Sequence, residues 1–222
     1  VFVGNAKLRR SLIRNADLRW EMYPSSGEVI SLGVFGKYFT KPIERVYRGT
    51  SGTRVTTFEN AESAMNLGAE VELRKHLGFL AEALAPLTFF SNLTVMHSTI
   101  DIGEVSGGSV EAERKMVGQA PYVVNTGLTY SSPRGGRLSA AALYNVIGRR
   151  IIPARLLPLP SVYEEPRHVL DVSLRFPLTR RISGKLDASN LLDAPYEVVQ
   201  GCVLRQYYRS GRSLSMGFTI GN

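Results

Sequence analysis

Cysteine is all but missing from this chain. Cys202 stands alone, which excludes a disulfide framework and any cysteine-built zinc cluster. Long apolar runs are missing too. The longest is Ala140–Tyr144, five residues, where a membrane-spanning helix needs about 20. A bundle of membrane helices is therefore excluded. No phosphate-binding P-loop, G-x-S-x-G elbow or H-E-x-x-H zinc pattern occurs. The three histidines, His76, His97 and His168, are scattered, with no pair at a helical or hairpin metal spacing. The start, Val1-Phe2-Val3-Gly4-Asn5, lacks both an initiator Met and the charged-then-apolar order of a signal peptide. A mature or internal piece is expected, and the compartment stays open.

What is present is ordinary in amount: 44% apolar and 9% aromatic residues in 222, spread from Phe2 to Phe218. That composition argues against disorder. The formal charge of +8 raises nucleic acid or an anionic lipid surface as partners. The bases are dispersed rather than gathered in one stripe, so no nucleic-acid partner is expected.

Alternation with period two dominates. In Leu12–Tyr23, Leu12, Ala16, Leu18, Trp20 and Met22 oppose Asn15, Asp17, Arg19 and Glu21, the pattern of a half-buried strand. Val29–Thr40 repeats it, with Ile30, Leu32, Val34 and Tyr38 opposite Ser31, Gly33 and Lys37. Further runs fall at 62–74, 87–100, 120–131, 137–147, 167–176 and 182–190. Leu214, Met216, Phe218 and Ile220 close the series. Nine strands are expected. Their connections alternate: those near 25–28, 75–86, 132–136 and 177–181 are mostly short and turn-like. Segment 75–86 is the longest of these, and its Leu77, Leu80 and Leu84 suggest a helical turn. Those near 41–61, 101–119, 148–166 and 191–212 are long and rich in Gly, Pro and charge. Short turns on one rim and long loops on the other describe an up-and-down antiparallel sheet of the outer-membrane kind.

Charge decides which face meets what. The polar phase carries Asp17, Glu21, Glu70, Glu72, Asp171 and Asp187 with Arg19, Lys37, Arg74, Arg175 and Lys185. Such mixed charge suits a wide hydrated lumen or a polar plug surface, while the apolar phase would face lipid. Arg14 is an exception on the apolar phase, placed near a strand end where its long side chain reaches the interface. Tyr122 and Tyr130 share the apolar phase. They are separated by roughly 26 Å along a strand, or about 20 Å along the membrane normal at a tilt near 40°, as in an interfacial pair.

The residues then match a known family. Leu18-Arg19-Trp20-Glu21-Met22-Tyr23-Pro24, followed by Ser31 to Phe39 and Pro42-Ile43-Glu44, resembles a strand–turn–strand of TonB-dependent outer-membrane receptors. So do Asn60-Ala61 with Gly68 to Lys75, Asn92-Leu93-Thr94, and Gly118-Gln119-Ala120-Pro121-Tyr122-Val123-Val124-Asn125. Leu143-Tyr144-Asn145, Gly148-Arg149-Arg150-Ile151, Leu170-Asp171-Val172, Asn190-Leu191-Leu192-Asp193 with Tyr196, and Tyr208 to Gly211-Arg212 continue the match over nearly the whole chain. The resemblance implies an all-β, antiparallel up-and-down transmembrane β-barrel. Residues 1–222 would supply about nine C-terminal strands of a 22-stranded wall, with the plug domain outside this sequence. It also implies a bacterial outer-membrane location and TonB-energised uptake of a scarce nutrient, such as siderophore-bound iron, cobalamin or a glycan. The implied partners are outer-membrane lipid and lipopolysaccharide, the TonB complex acting through the plug, and a small nutrient ligand. One departure is the ending Phe218-Thr219-Ile220-Gly221-Asn222, where the family often ends on an aromatic.

No catalytic, cofactor-binding or metal-binding residue is assigned, and no enzyme is expected. Glu70 and Glu72 stand two apart on one face, which could suit acid–base work, but lining the lumen or pairing with a plug explains them better. Cys202 lies in an expected external loop without a His-plus-acid partner set. Asn92-Leu93-Thr94 has the form of a glycosylation acceptor, but mid-strand in a bacterial-type barrel that form carries no meaning. The Arg pairs 9–10, 149–150 and 180–181 could bind phosphate, the first two at the outer rim beside lipopolysaccharide. The alternatives are a passive porin without a plug, an outer-membrane enzyme with a Ser/His/acid set on its outer rim, and a soluble lectin-like sheet.

Overall fold

The computed structural model describes residues 2–50, 53–103, 113–133, 138–152, 160–179 and 181–220. The strands in chain order are β1 (Leu12–Met22), β2 (Val29–Thr40), β3 (Ile43–Thr50), β4 (Thr53–Asn60), β5 (Ser63–His76), β6 (Leu87–Asp101), β7 (Glu113–Arg114), β8 (Tyr122–Ser131) and β9 (Ser139–Ile147). After them come β10 (Arg150–Ile151), β11 (Val162–Glu164), β12 (Arg167–Pro177), β13 (Ile182–Ser189), β14 (Tyr196–Gln200), β15 (Val203–Tyr208) and β16 (Ser213–Ile220). The wall is one antiparallel sheet in the order β1-β2-β5-β6-β8-β9-β12-β13-β16, with β7 pairing on β6. Those nine strands are the nine periodic runs of the sequence. Between β5 and β6 the chain makes two short 3-10 turns, Leu77–Phe79 and Glu82–Leu84.

Register turns alternation into two faces, because a side-chain period of two keeps each phase aligned across neighbours. One row runs Trp20, Leu32, Val71, Leu93, Val124, Val146 and His168, apolar across six strands. It starts near the short-turn end of β1 and finishes near the long-loop end of β12. That climb is the strand tilt a barrel wall requires. On the other face Phe35 lies over Gly68 and Phe90 over Gly127. A Cβ on Gly68 would come within 2.3 Å of Phe35 Cζ, and one on Gly127 within 2.5 Å of Phe90 Cζ. Each aromatic covers a bare stretch of backbone while its glycine makes room for the ring.

The long connections are more ordered than their composition suggests. Segment 41–61 holds the β3–β4 hairpin, and 148–166 and 191–212 together form a second sheet in the order β10-β11-β14-β15. Both stand on the long-loop rim, where loop-like composition conceals short strands. Residues 104–112 of the expected loop 101–119 lie outside the described residues.

Leu32 and Ser31 obey the expected faces, but Ser31 is only 2% exposed, in register between Glu21 and Glu72. Asn92 and Leu93 test the faces more cleanly, since both are exposed and adjacent on β6. Leu93→Arg, near the middle of the strand, should cost about 2–4 kcal/mol in a bilayer, and Asn92→Arg much less. Urea unfolding of the complete barrel in vesicles measures both, and equal costs, or the opposite order, would overturn the assignment of faces.

Candidate functional site

The polar face gathers its charges where small residues leave space. Ser31 and Gly33 of β2 stand between Glu21 and Arg19 of β1 and Glu72 and Glu70 of β5. With no bulk on β2 in the way, Arg19 spans it: Nη2 reaches Glu72 Oε2 at 2.8 Å, while Nε holds Glu21 Oε1 at 2.5 Å. The Tyr23 hydroxyl donates to Glu21 from the turn below. A second cluster lies on β12 and β13, where Lys185 Nζ pairs with Asp187 Oδ2 at 2.9 Å and Arg175 faces Lys185 in register.

At the short-turn rim an open cavity of about 480 Å³ is lined by Arg19, Tyr23, Ser26, Glu28, Glu72 and Arg74, among others. Glu28 is buried at its edge. Its carboxylate accepts from Lys75 Nζ at 2.7 Å and from the His76 N–H at 3.1 Å. The Lys75 ammonium, helped by Ser25 and the His76 N–H, holds Glu28 below the usual carboxylate range against the opposing effect of burial.

The long-loop rim is tied together by the stretch 113–121. Glu44, at the base of the β3–β4 hairpin, pairs with Arg114 and accepts the Val117 N–H at 2.9 Å. Both ends of the ion pair are buried, so losing one would strand a charge out of water. Met116 joins Ala61, Ala64 and Ile100 in a small core against Phe39. Gly118 N–H bonds Ile151 O at 2.7 Å, reaching the second sheet. That sheet is set off from the wall by Asn190 and Asp193, both at positive φ. Asn190 Nδ2 donates to Gly211 O at 2.7 Å, and its backbone N–H donates to Asp171 Oδ1 at 2.8 Å. Short polar side chains tolerate this left-handed backbone by bonding locally, which explains the run Asn190-Leu191-Leu192-Asp193.

No family model and no curated protein matches the sequence. Solved structures do. A point variant of the ferric enterobactin receptor of Pseudomonas aeruginosa, with enterobactin, matches at 19% identity and TM-score 0.65, over 99% of this chain and 32% of that one. The copper transporter OprC matches at 16% and 0.71, over 97% of this chain and 33% of that one. The ferric yersiniabactin uptake receptor of Yersinia pestis matches at 17% and 0.65, over 95% and 30%. The fold is that of a TonB-dependent receptor barrel. The chain spans about a third of the length of the chains it matches, a partial barrel wall. In such a barrel the polar face is the lumen and the apolar face meets lipid.

Within that wall, Glu70 and Glu72 both face the lumen, and Glu72 is engaged by Arg19. His97 and His168 lie on the lipid-facing phase, His168 Nδ1 being 2.5 Å from the Tyr144 hydroxyl. His76 sits at the short-turn rim, Nδ1 3.0 Å from Thr88 Oγ1. Cys202 is exposed at the β14–β15 tip. Of the arginine pairs, Arg149 is bound to Glu165 at 2.7 Å and stacks on Tyr163, and Arg150 is held by Glu164 at 3.0 Å. Their charge is spent internally rather than offered to phosphate. Arg9 and Arg10 are exposed, and Arg180 lies outside the described residues. Sequence reasoning missed the Glu44–Arg114 pair, whose partners are 70 residues apart.

Because the Glu28 pKa is lower folded than unfolded, its contribution is complete above the unfolded value of about 4.3 and is lost as pH falls through the folded value. The protection of the His76 amide, whose N–H Glu28 accepts, measured relative to its intrinsic exchange rate, should therefore fall on acidification below that point. Glu28→Gln should remove this pH dependence. An unchanged profile in the variant would assign the effect to another group.

Proposed function

We propose that this chain is the C-terminal part of the barrel of a TonB-dependent receptor, which imports a scarce nutrient across a bacterial outer membrane. The observation that carries the reading is the division of one nine-stranded sheet into a polar face, which carries nearly all the mid-strand charge, and a largely apolar face. A plug outside this sequence would fill the lumen and dock on the Arg19–Glu21–Glu72 and Lys185–Asp187 clusters. The long-loop rim, with its two added sheets, would face outward and meet ligand first. The short turns and the Glu28 cavity would face the periplasm, where TonB pulls on the plug. The work is energised passage, and no covalent step is asked of any residue. Siderophore-bound iron and copper, named for the similar receptors and transporter, are the first ligands to try, followed by cobalamin and glycans. Lipopolysaccharide would border Arg9, Arg10 and the lipid-facing Arg14 at the outer rim.

Sidedness is checked with the native thiol. Cys202 should react with a membrane-impermeant thiol reagent on intact cells, whereas a Ser132→Cys, Cys202→Ser receptor should not. The reverse result would invert the topology. In the complete receptor, uptake of a bound labelled ferric siderophore should stop when the proton gradient is collapsed, while surface binding persists. Uptake continuing at full rate would instead identify a passive porin.

A further inference from the structure

Charge is unevenly spread around the lumen wall. On β6 the lumen-facing residues are Thr88, Phe90, Asn92, Thr94 and Met96, with Ser98 and Ile100 covered by Met116 at the long-loop end, and on β8 they are Val123, Asn125, Gly127, Thr129 and Ser131. On β9 they are Ser139, Ala141, Leu143, Asn145 and Ile147. These three adjacent strands put no charged side chain into the lumen. The strands on either side do: Glu70, Glu72 and Arg74 on β5, and Arg167, Asp171 and Arg175 on β12. The gap is central to the sheet, so both its borders are paired strands. From β5 to β12 is four strand spacings, about 19 Å at about 4.8 Å each. Asn92, Asn125 and Asn145 share one register row across the gap, and Asn145 Nδ2 donates to Asn125 Oδ1 at 2.5 Å.

We infer that solute crosses along this uncharged lane of β6, β8 and β9, past its row of asparagines and hydroxyls, while the charge clusters beside it keep hold of the plug. The inference rests on the transport reading above. Two physical reasons favour the lane. A plug contact to amides and hydroxyls is exchanged for water with little net change, because one hydrogen bond replaces another. Parting a plug group from an ionic cluster gives up charge-assisted hydrogen bonds, which are stronger than neutral ones, so the clusters release last. A solute also has to leave each contact it makes, and neutral hydrogen-bonding groups hold a passing solute more weakly than fixed charges.

The test uses the complete receptor with Cys202→Ser and one new cysteine. Asn92→Cys and Thr129→Cys report the lane, and Asp17→Cys and Ser173→Cys report the charged flanks. Heat-modifiable gel mobility selects variants whose barrel has folded, and two positions on each side guard against the loss of one. A hydrophilic methanethiosulfonate is applied to energised cells in cationic and anionic forms, so that local charge cancels from the comparison. Lane positions should label several-fold faster than flank positions with both forms. Equal rates, or faster flanks, would overturn the lane. The same rates measured after collapse of the proton gradient test the underlying reading separately: a lane preference that persists unchanged would keep the lane and remove energised opening.

Discussion

In hydrocarbon, a backbone N–H or C=O has no water to bond, and each one left open costs several kcal/mol. That constraint orders everything else in this molecule. It demands that strands pair along their whole length through the lipid, and the ladder from β1 to β16 does so with unbroken register. Once the ladder exists, side chains have only two directions to go. One receives Leu18, Val34, Ala69 and Val95 in a row, the other Asn15, Lys37, Asn66 and Ser98. On β16 the same phase carries Leu214, Met216, Phe218 and Ile220, opposite Ser213, Ser215, Gly217 and Thr219.

The same pairing explains the lumen chemistry. Neighbouring strands stand about 4.8 Å apart, so side chains two strands away touch only when the strand between them carries little bulk. Ser31 and Gly33 supply that gap, and Arg19 crosses it to Glu72. At Gly68 and Gly127 the opposite arrangement holds, with a phenylalanine ring filling the space a side chain would take. Small residues on the lumen face therefore act through what they allow their neighbours to reach. Where β6, β8 and β9 lack charge, they leave a stretch of wall with hydrogen-bonding groups and no ionic grip.

Beyond the ends of the wall strands the constraint relaxes, because water is available again. There the chain builds by other means: a buried ion pair between Glu44 and Arg114, a small core around Ile100, and left-handed turns at Asn190 and Asp193. The stretch 113–121 contacts the hairpin, the wall and the second sheet at once. These devices stiffen loops whose composition reads as irregular.

By itself the sequence determined the nine wall strands, their faces, the rim that carries the long connections and the receptor-like fold. The strands, faces and rims follow from a local period of two, repeated and punctuated by turns, while the receptor-like fold came from the resemblance of particular segments to a known family. Asn190 and Asp193 were legible as a motif, and their positive φ gives the reason. Tertiary structure alone decided the rest. The β3–β4 hairpin hides in a segment whose glycine and charge read as loop, although Val46 pairs with Thr57 across it. The second sheet joins segments far apart in the chain. Arg149 and Arg150 read as free cations until Glu165 and Glu164 are seen beside them. Period and composition are properties of neighbours along the chain. Ion pairs, rim sheets and the reach of Arg19 over β2 depend on which distant residues the register brings side by side.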